Sequence, residues 1–226
     1  MVQLDFAESL TLFKYYLNLE NELFETERYV TLERSNFVTF SIEYAKLLLS
    51  ICSEIDMVLK MICRCIEKDK KCSKITHYHQ VMSKTLKYFT REEVVFLYFK
   101  DIKIRPWEGW NETNPPNWWN DYNKVKHQRT DVDEGGTPFY SKANLGNVIQ
   151  ALAALYISEL YLFYLNEPEK KPDGTDNNES IILDYNKSSR LHMNSWQGCY
   201  TFFMSRDNSR FNLRRLRELM NSRVFE

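Results

Sequence analysis

A single histidine flanked by cations is the arrangement in this sequence best suited to proton-transfer chemistry. Residues 117–129 read NWWNDYNKVKHQR, so that Lys126 precedes His127 and Arg129 follows two positions later. Histidine has an ordinary pKa near neutrality and can serve as a general acid or base, while lysine and arginine can hold a phosphate group. We therefore expect acid–base chemistry on a negatively charged group at this segment, with Asn123 as a positioning residue.

Helical spacing predicts which side chains accompany the histidine. Two prolines open the segment, as suits the first turn of a helix, and Trp119, Asn123 and His127 then lie four residues apart on one face. The adjacent stripe, expected to pack inward, is Trp118, Tyr122 and Val125. Trp119 and Tyr122 are candidate binding residues, because aromatic rings stack on nucleobases. The alternative is that the tryptophans belong to the core, each with its indole N–H satisfied nearby.

His127 and Arg129 do not share a helix face. Two residues correspond to ~200° around an ideal helix, so the two side chains reach one ligand only if the helix ends or distorts near Gln128, or if Arg129 serves a second subunit. The alternative interpretation is structural: His127 and Arg129 would pin this short helix to acids on a neighbouring helix.

Those acids lie on the most clearly helical segment of the chain. Apolar residues recur there in alternating steps of three and four, which predicts a long helix over residues 38–68: Ala45, Leu48, Cys52, Ile55, Leu59, Ile62 and Ile66. Glu54 and Asp56 on this helix are candidates to orient His127, because an acid that is buried without a partner is costly. The alternative is an ordinary solvated helix face.

The remaining pattern predicts the organisation of the chain. Residues 6–30 and 75–90 favour helices, and a long helix rich in small residues ends near Asn166. An insertion at about 91–116 contains β-branched and aromatic residues typical of a short strand or hairpin. We expect a mostly α-helical main body over 1–166, a polar linker over 167–179, and a C-terminal extension over 180–226 with a strand at 180–185 and a basic terminal helix.

Composition excludes several classes of protein. The chain has 226 residues, 43% of them hydrophobic and 27% charged, with only six Gly and six Pro. Collagen-like, low-complexity and many-stranded β proteins do not have this composition. The Walker, Rossmann, H-E-x-x-H and G-x-S-x-G patterns are missing from the sequence, which excludes the NTPase, dehydrogenase, zincin and α/β-hydrolase classes that carry them.

Charge and cysteine usage give expectations about partners and location. The net charge is −1, yet residues 187–226 hold eight bases and three acids, a basic tail that could meet phosphate, an acidic segment of a second copy, or only solvent. The beginning of the sequence does not resemble a signal peptide, and the five cysteines favour reduced thiols in the cytoplasm. The cluster Cys63, Cys65, Cys72, His77 and His79 lacks the usual zinc spacing, so core or surface thiols and no metal or other cofactor are expected. The alternative is a regulator stabilised by zinc at this cluster.

Three segments together resemble the HEPN superfamily, helical-bundle proteins of prokaryotic toxin–antitoxin, CRISPR and anti-phage systems. They are FSIEYAKLLLSICSEIDMVLK, PPNWWNDYNKVKHQR and YSKANLGNVIQALAALYISEL, and the resemblance covers about residues 35–165. It implies an antiparallel helical bundle that forms a homodimer. Independently of the resemblance, the sequence has no stretch of about 18 uncharged apolar residues, so no membrane-spanning segment is expected. The resemblance further implies a metal-independent endoribonuclease in which His127 transfers protons and Arg129 or Lys126 holds the phosphate, with RNA as substrate and an antitoxin or other defence-system protein as partner.

The chain departs from the superfamily's Arg-x(4–6)-His motif in one respect. The positions at which that motif would place its arginine hold Asn120, Asp121 and Tyr122, and the arginine follows the histidine instead. The second hypothesis is therefore a non-catalytic HEPN-like adaptor that binds a protein or a nucleic acid.

Overall fold

Two long helices form the centre of the fold, and three shorter or more peripheral helices pack around them. The computed structural model describes residues 6–97, 99–166, 173–175, 189–193, 200–202, 209–211, 217–218 and 220. The five α-helices of this described part are α1 (Phe6–Glu25), α2 (Ile42–Ile66), α3 (Ile75–Thr85), α4 (Asn117–His127) and α5 (Leu145–Asn166). The prediction of a mostly α-helical chain is confirmed.

Helix α2 follows the apolar stripe read from the sequence. It begins after Ser41, whose side chain accepts a hydrogen bond from the Tyr44 amide at 3.0 Å and so caps the helix. The stripe residues Leu48, Cys52, Ile55, Leu59 and Ile62 are buried. The helix is shorter than the predicted 38–68, because Val38 lies in a turn and Phe40 forms an isolated bridge with Asn144 before its start, and the extended backbone of Glu67 ends it.

Helix α5 is the central element of the core. Sixteen of its 22 residues are buried, and α2 is its main neighbour. By length and composition it is the one helix in the described part that could cross a membrane, and most of it lies inside this fold. Asn144 caps α5, since its side-chain oxygen accepts from the Asn147 amide at 3.0 Å.

The segment before α2 lies close to the start of α5 and holds it by backbone hydrogen bonds. The Leu145 amide donates to Thr39 O at 2.8 Å and the Gly146 amide donates to Phe37 O at 2.9 Å. A β-carbon at Gly146 would lie only 3.1 Å from the Phe37 β-carbon and 3.2 Å from its carbonyl oxygen. A side chain larger than hydrogen therefore does not fit at Gly146 without displacing the chain around Phe37.

The predicted β insertion is a hairpin within a three-stranded antiparallel sheet. Strands β1 (Val94–Phe96) and β2 (Phe99–Ile104) form the hairpin, and β3 (Leu191–Met193) pairs with the other edge of β1 in the register Val94 to Met193. A separate hairpin joins β4 (Tyr200–Phe202) to β5 (Ser209–Phe211).

The C-terminal region is described only in short pieces. The predicted basic terminal helix, residues 209–223, is wrong at its start, because residues 209–211 form strand β5 and pair with β4. Residues 217, 218 and 220 are helical. The predicted strand at 180–185 and most of the 167–179 linker lie outside the described residues. Ser189 and the Arg190 backbone amide both donate to the buried carboxylate of Glu20 on α1, at 2.8 and 3.0 Å, which ties this part of the chain to the helical body.

Tryptophans form a buried aromatic cluster under α4. Trp107, Trp110 and Trp118 are at most 4% exposed, and the Trp118 indole N–H donates to Pro106 O at 2.6 Å. Ring contacts continue from Trp118 to Trp119 and on to Tyr122. The prediction that the tryptophans belong to the core is confirmed for Trp107, Trp110, Trp118 and Trp119. The expected partners of their indole N–H groups are found for Trp118, whereas those of Trp107 and Trp110 have no hydrogen-bond partner among the described residues.

Candidate functional site beside helix α4

Helix α4 buries one face and exposes its C-terminal end. Trp118, Trp119, Tyr122 and Val125 pack inward at helical spacing, whereas Lys126, His127 and Arg129 are exposed. No hydrogen bond or ion pair involves His127 among the described residues, so its imidazole is free to meet a ligand. Cations at the C-terminus of a helix are also favoured by the helix dipole.

The helix ends immediately after the histidine. Gln128 has φ −135° and ψ 31°, outside helical values, and its amide donates to Lys124 O at 2.8 Å. Arg129 turns back along the last turn, where its Nε donates to Val125 O at 3.3 Å. The helix therefore ends at Gln128. This is the condition under which His127 and Arg129 need not point to opposite sides.

An open cleft runs along α4, α2 and the start of α3. Its volume is about 460 Å³, and we call it the α4 cleft. Residues 73–76 form one wall, Ser53 and Asp56 of α2 form another, and α4 contributes the residues Trp119, Tyr122, Asn123 and Lys126. Five of the eight residues singled out from the sequence thus lie around one cavity: Asp56, Trp119, Tyr122, Asn123 and Lys126.

The remaining three predicted residues lie elsewhere. Arg129 lines a different groove, described below, while His127 and Glu54 do not line the α4 cleft. Sequence reasoning missed Ser73, Lys74 and Thr76, which complete the cleft wall. The sequence gives little indication of these three residues, because they lie in a loop and in the first turn of a helix and belong to no recognisable motif.

Asp56 is engaged with groups other than His127. It accepts a hydrogen bond from the Tyr78 hydroxyl at 2.6 Å and forms an ion pair with Lys60, one turn further along α2. Glu54 is half-buried, and burial raises its pKa. In the described chain neither acid contacts His127, so the expected orienting contact is not present in the single chain.

Lys126 reaches over the cleft from its exposed position. Its ammonium lies 5.5 Å from the centre of the Tyr122 ring, within range of a cation–π contact. Burial raises the pKa of the Tyr122 hydroxyl, while a hydrogen bond with Lys126 acts in the opposite direction. Trp119 and Tyr122 are only 6% and 4% exposed, so they offer the cleft ring edges rather than open stacking faces.

A second concavity lies on the other side of the end of α4. We call it the apolar groove. Its volume is about 720 Å³, and its apolar lining residues are Phe40, Ile42, Ala45, Leu49, Pro138 and Tyr140. Ile42 is 77% exposed, and the Phe40 and Tyr140 rings, 5.6 Å apart, are each nearly half exposed. Arg129 and Lys46 are its cations, and Lys46 is paired with Glu43 at 2.7 Å.

One buried acid of α5 faces the helix that carries Glu54. Glu159 is fully buried, and neither carboxyl oxygen has a hydrogen-bond partner in the part of the chain that the structure describes. Burial, and secondarily the charge of Glu54, raises the pKa of Glu159 to about 8. The sequence signal was a carboxyl group within an otherwise apolar helix, and the pairing of α2 with α5 brings it close to Glu54.

The cysteine and histidine cluster does not form a metal site in the described part of the chain. There, no three His, Cys, Asp or Glu side chains are grouped so that they could hold an ion. Cys52, Cys63, Cys65 and Cys72 are free thiols.

Comparisons with protein-family models, with curated proteins and with solved structures found no match to this chain. The described part of the chain is a mostly helical fold with five α-helices and a small antiparallel sheet. It carries a polar cleft beside α4.

Proposed function

We propose that this protein is a metal-independent endoribonuclease of a defence or toxin–antitoxin system, with His127 as the proton-transfer residue. The observation that carries the proposal is the exposed imidazole of His127, which has no partner among the described residues, at an open helix end with Lys126 and Arg129 beside it. An exposed imidazole next to cations can approach a polyanion and act in proton transfer.

The chemistry requires one base, one acid and a cation. His127 takes the proton of an RNA 2′-hydroxyl, whose oxygen attacks the adjacent phosphorus. Lys126 or Arg129 stabilises the additional negative charge of the phosphorane. The bond to the 5′-oxygen then breaks and that oxygen takes up a proton, which leaves a 2′,3′-cyclic phosphate and a free 5′-hydroxyl.

The α4 cleft, which His127 does not line, suits a further phosphate of the RNA beside the one that reacts. Lys126 and Lys74 supply positive charge, and Asn123 supplies an amide. The first turn of α3 forms the wall at residues 75–76, where backbone N–H groups precede the helical hydrogen bonds and favour an anion. The Asp56 carboxylate opposes an anion less than its position suggests, because Lys60 and Tyr78 already contact it.

A homodimer is the second part of the proposal. The apolar groove leaves Phe40, Ile42 and Tyr140 exposed on the side of Arg129, and such a surface favours burial against another protein surface. A second copy seated there would place two sets of His127 and Arg129 near one interface. RNA crossing that interface would then meet cations from both chains.

The test is cleavage of structured and unstructured RNA by the purified protein in EDTA. We expect cleavage products with cyclic-phosphate ends, and we expect His127→Ala to abolish their formation. Gln128→Ala is the matched control, since Gln128 is exposed next to His127 but cannot transfer a proton at neutral pH. Equal activity of wild type and His127→Ala would refute the role of His127.

A non-catalytic adaptor is the second candidate function. One observation favours it: within the described chain no carboxylate orients His127, and the Arg129 Nε is bonded to the Val125 carbonyl. The adaptor hypothesis predicts binding of RNA or a partner protein without cleavage at high protein concentration. The same reaction in EDTA, followed by a binding assay on the uncleaved RNA, distinguishes the two hypotheses.

A further inference from the structure

Two cysteines meet at the first turns of α3. Cys63 lies near the end of α2, and Cys72 lies in the 67–74 loop that connects α2 to α3. The Cys63 Sγ donates to Tyr78 O and the Cys72 Sγ donates to His77 O, each at 3.9 Å. Carbonyls of consecutive helical residues point in nearly the same direction, so the two sulfurs occupy neighbouring positions. After burial, Cys72 is the next group that raises the pKa of the Cys63 thiol, which fits two thiols that lie close together.

The two thiols differ in their access to solvent. Cys63 is fully buried, whereas Cys72 is half-buried in a loop whose neighbours Lys71 and Ser73 are exposed. Burial, and then the neighbouring Cys72, raises the pKa of the Cys63 thiol. A reagent from solvent therefore reaches Cys72 first, and Cys63 can react only within the protein.

The loop around Cys72 favours an anionic reagent. Residues 67–74 read EKDKKCSK and hold four lysines against two acids, one of which, Glu67, is paired with both Lys70 and Lys84. Local positive charge raises the local concentration of a negatively charged oxidant. Oxidised glutathione, which carries several carboxylates, is an oxidant of that chemical class.

We propose that Cys63 and Cys72 form a reversible disulfide with oxidised glutathione as the oxidant. The Cys72 thiol loses its proton, and its sulfur attacks one sulfur of oxidised glutathione, which releases one reduced glutathione. The Cys63 thiol then loses its proton and its sulfur attacks the Cys72 sulfur of the mixed disulfide, releasing the second. Two protein thiols are oxidised and one glutathione disulfide is reduced to two thiols, so electrons and protons balance.

The consequence of oxidation would reach the α4 cleft. A disulfide between Cys63 and Cys72 ties the 67–74 loop to α2, and residues 73–76, which follow Cys72 directly, form one wall of that cleft. The freedom of this wall to adapt to a ligand would decrease. The inference concerns the thiols and the wall alone and does not depend on the proposed nuclease activity.

The test is a redox titration of the full chain in glutathione buffers with a rising oxidised fraction. Free thiols are trapped by alkylation, and peptides are mapped by mass spectrometry. A Cys199→Ser background restricts the thiols to the four whose surroundings are described. We expect two thiols to disappear together, a chain that has lost two hydrogens, and one cross-linked peptide that joins Cys63 to Cys72.

Two variants provide matched controls. Cys65 lies only two positions from Cys63, but its sulfur contacts the Asn166 side chain on α5 at 3.9 Å. Cys65→Ser should therefore leave the cross-link intact, whereas Cys72→Ser at its half-buried position should abolish it. The proposal is overturned if all four thiols remain reduced at the most oxidising ratio, or if the cross-link joins another pair of cysteines or two chains.

Discussion

The buried carboxyl group of Glu159 gives a quantitative prediction about pH and stability. Its side chain is fully buried, its two oxygens have no hydrogen-bond partner among the residues described, and its pKa is raised from an ordinary value of 4.5 to about 8. The main cause is burial, which penalises the ionised form, and the Glu54 carboxylate on the facing helix adds to it. Glu159 is thus protonated in the folded protein at neutral pH.

The sign of the pH dependence follows from proton binding. Below pH 4.5 the folded and unfolded states both hold the proton. Between 4.5 and about 8 the unfolded state has released it while the folded state retains it, so the free energy of unfolding decreases as pH rises. The slope is about 1.4 kcal/mol per pH unit, and the loss amounts to about 5 kcal/mol once the folded-state pKa is passed.

The perturbation that isolates this effect is Glu159→Gln, which preserves the shape of the side chain and removes its titration. Urea unfolding of both proteins from pH 5 to pH 9 gives the difference in their free energies of unfolding. From pH 5 to pH 9 we expect the free energy of unfolding of the variant to rise relative to that of wild type by about 4 kcal/mol or more. At pH 9 the glutamine protein should be the more stable.

Two further variants sharpen the measurement. Glu54→Gln removes the neighbouring charge, so the pKa of Glu159 in the folded protein falls, and the decrease in stability should end at a lower pH and be smaller in total. Glu43→Gln changes an exposed glutamate on the same helix as Glu54 and should leave the pH profile of wild type unchanged. A difference between wild type and Glu159→Gln that is constant from pH 5 to pH 9 would refute the reasoning.

Three other substitutions test the packing, the cleft and the groove. Gly146→Ala forces a β-carbon against Phe37 and should lower the free energy of unfolding by about 1–3 kcal/mol, measured by urea unfolding. Lys126→Ala should weaken RNA binding and make the slope of log affinity against log salt shallower by about 0.7, the value for one phosphate contact on a single strand. Ile42→Asp places a charge in the apolar groove and should shift the protein to monomer in analytical ultracentrifugation.

Each of these substitutions has a matched control elsewhere in the chain. For Gly146→Ala the control is Gly135→Ala, which adds the same atom where the nearest contact is at an ordinary 3.4 Å. For Lys126→Ala it is Lys87→Ala, which removes an exposed lysine outside the cleft. For Ile42→Asp it is Tyr29→Asp, which adds a charge at an exposed aromatic residue outside the groove. If a control variant changes its measured quantity as much as the test variant, the assigned contact is not the cause.

Local pattern was sufficient for the helices and for the hairpin. The alternating steps from Ala45 to Ile66 determine which side of α2 turns inward, because 3.6 residues complete one turn. The β-branched and aromatic residues of 94–104 favour a hairpin for a similarly local reason. Sequence reasoning also placed Trp119, Asn123 and Lys126 on one short helix, and these residues line the same cleft.

The partners of Glu54 and Asp56 could not be read from the sequence. Asp56 contacts Tyr78, which is 22 positions away on α3, and Glu54 lies near Glu159 on α5, more than 100 positions away. The return of residues 191–193 to the edge of β1 is equally non-local. The side chains that surround each acid depend on how the helices pack against each other. The periodicity of the sequence carries no information about that packing.

The sequence by itself determined the helical segments, the apolar faces and the residue types able to transfer a proton or hold a phosphate, because those depend on neighbours one to four positions apart. Only the tertiary structure decided that α4 ends at Gln128 and leaves His127 in solvent, that residues 73–76 complete the wall of a cleft, and that a carboxyl group of α5 is sealed against α2 without a partner. Burial and the meeting of distant segments follow from the packing of whole helices, and that packing minimises a free energy to which the entire chain contributes.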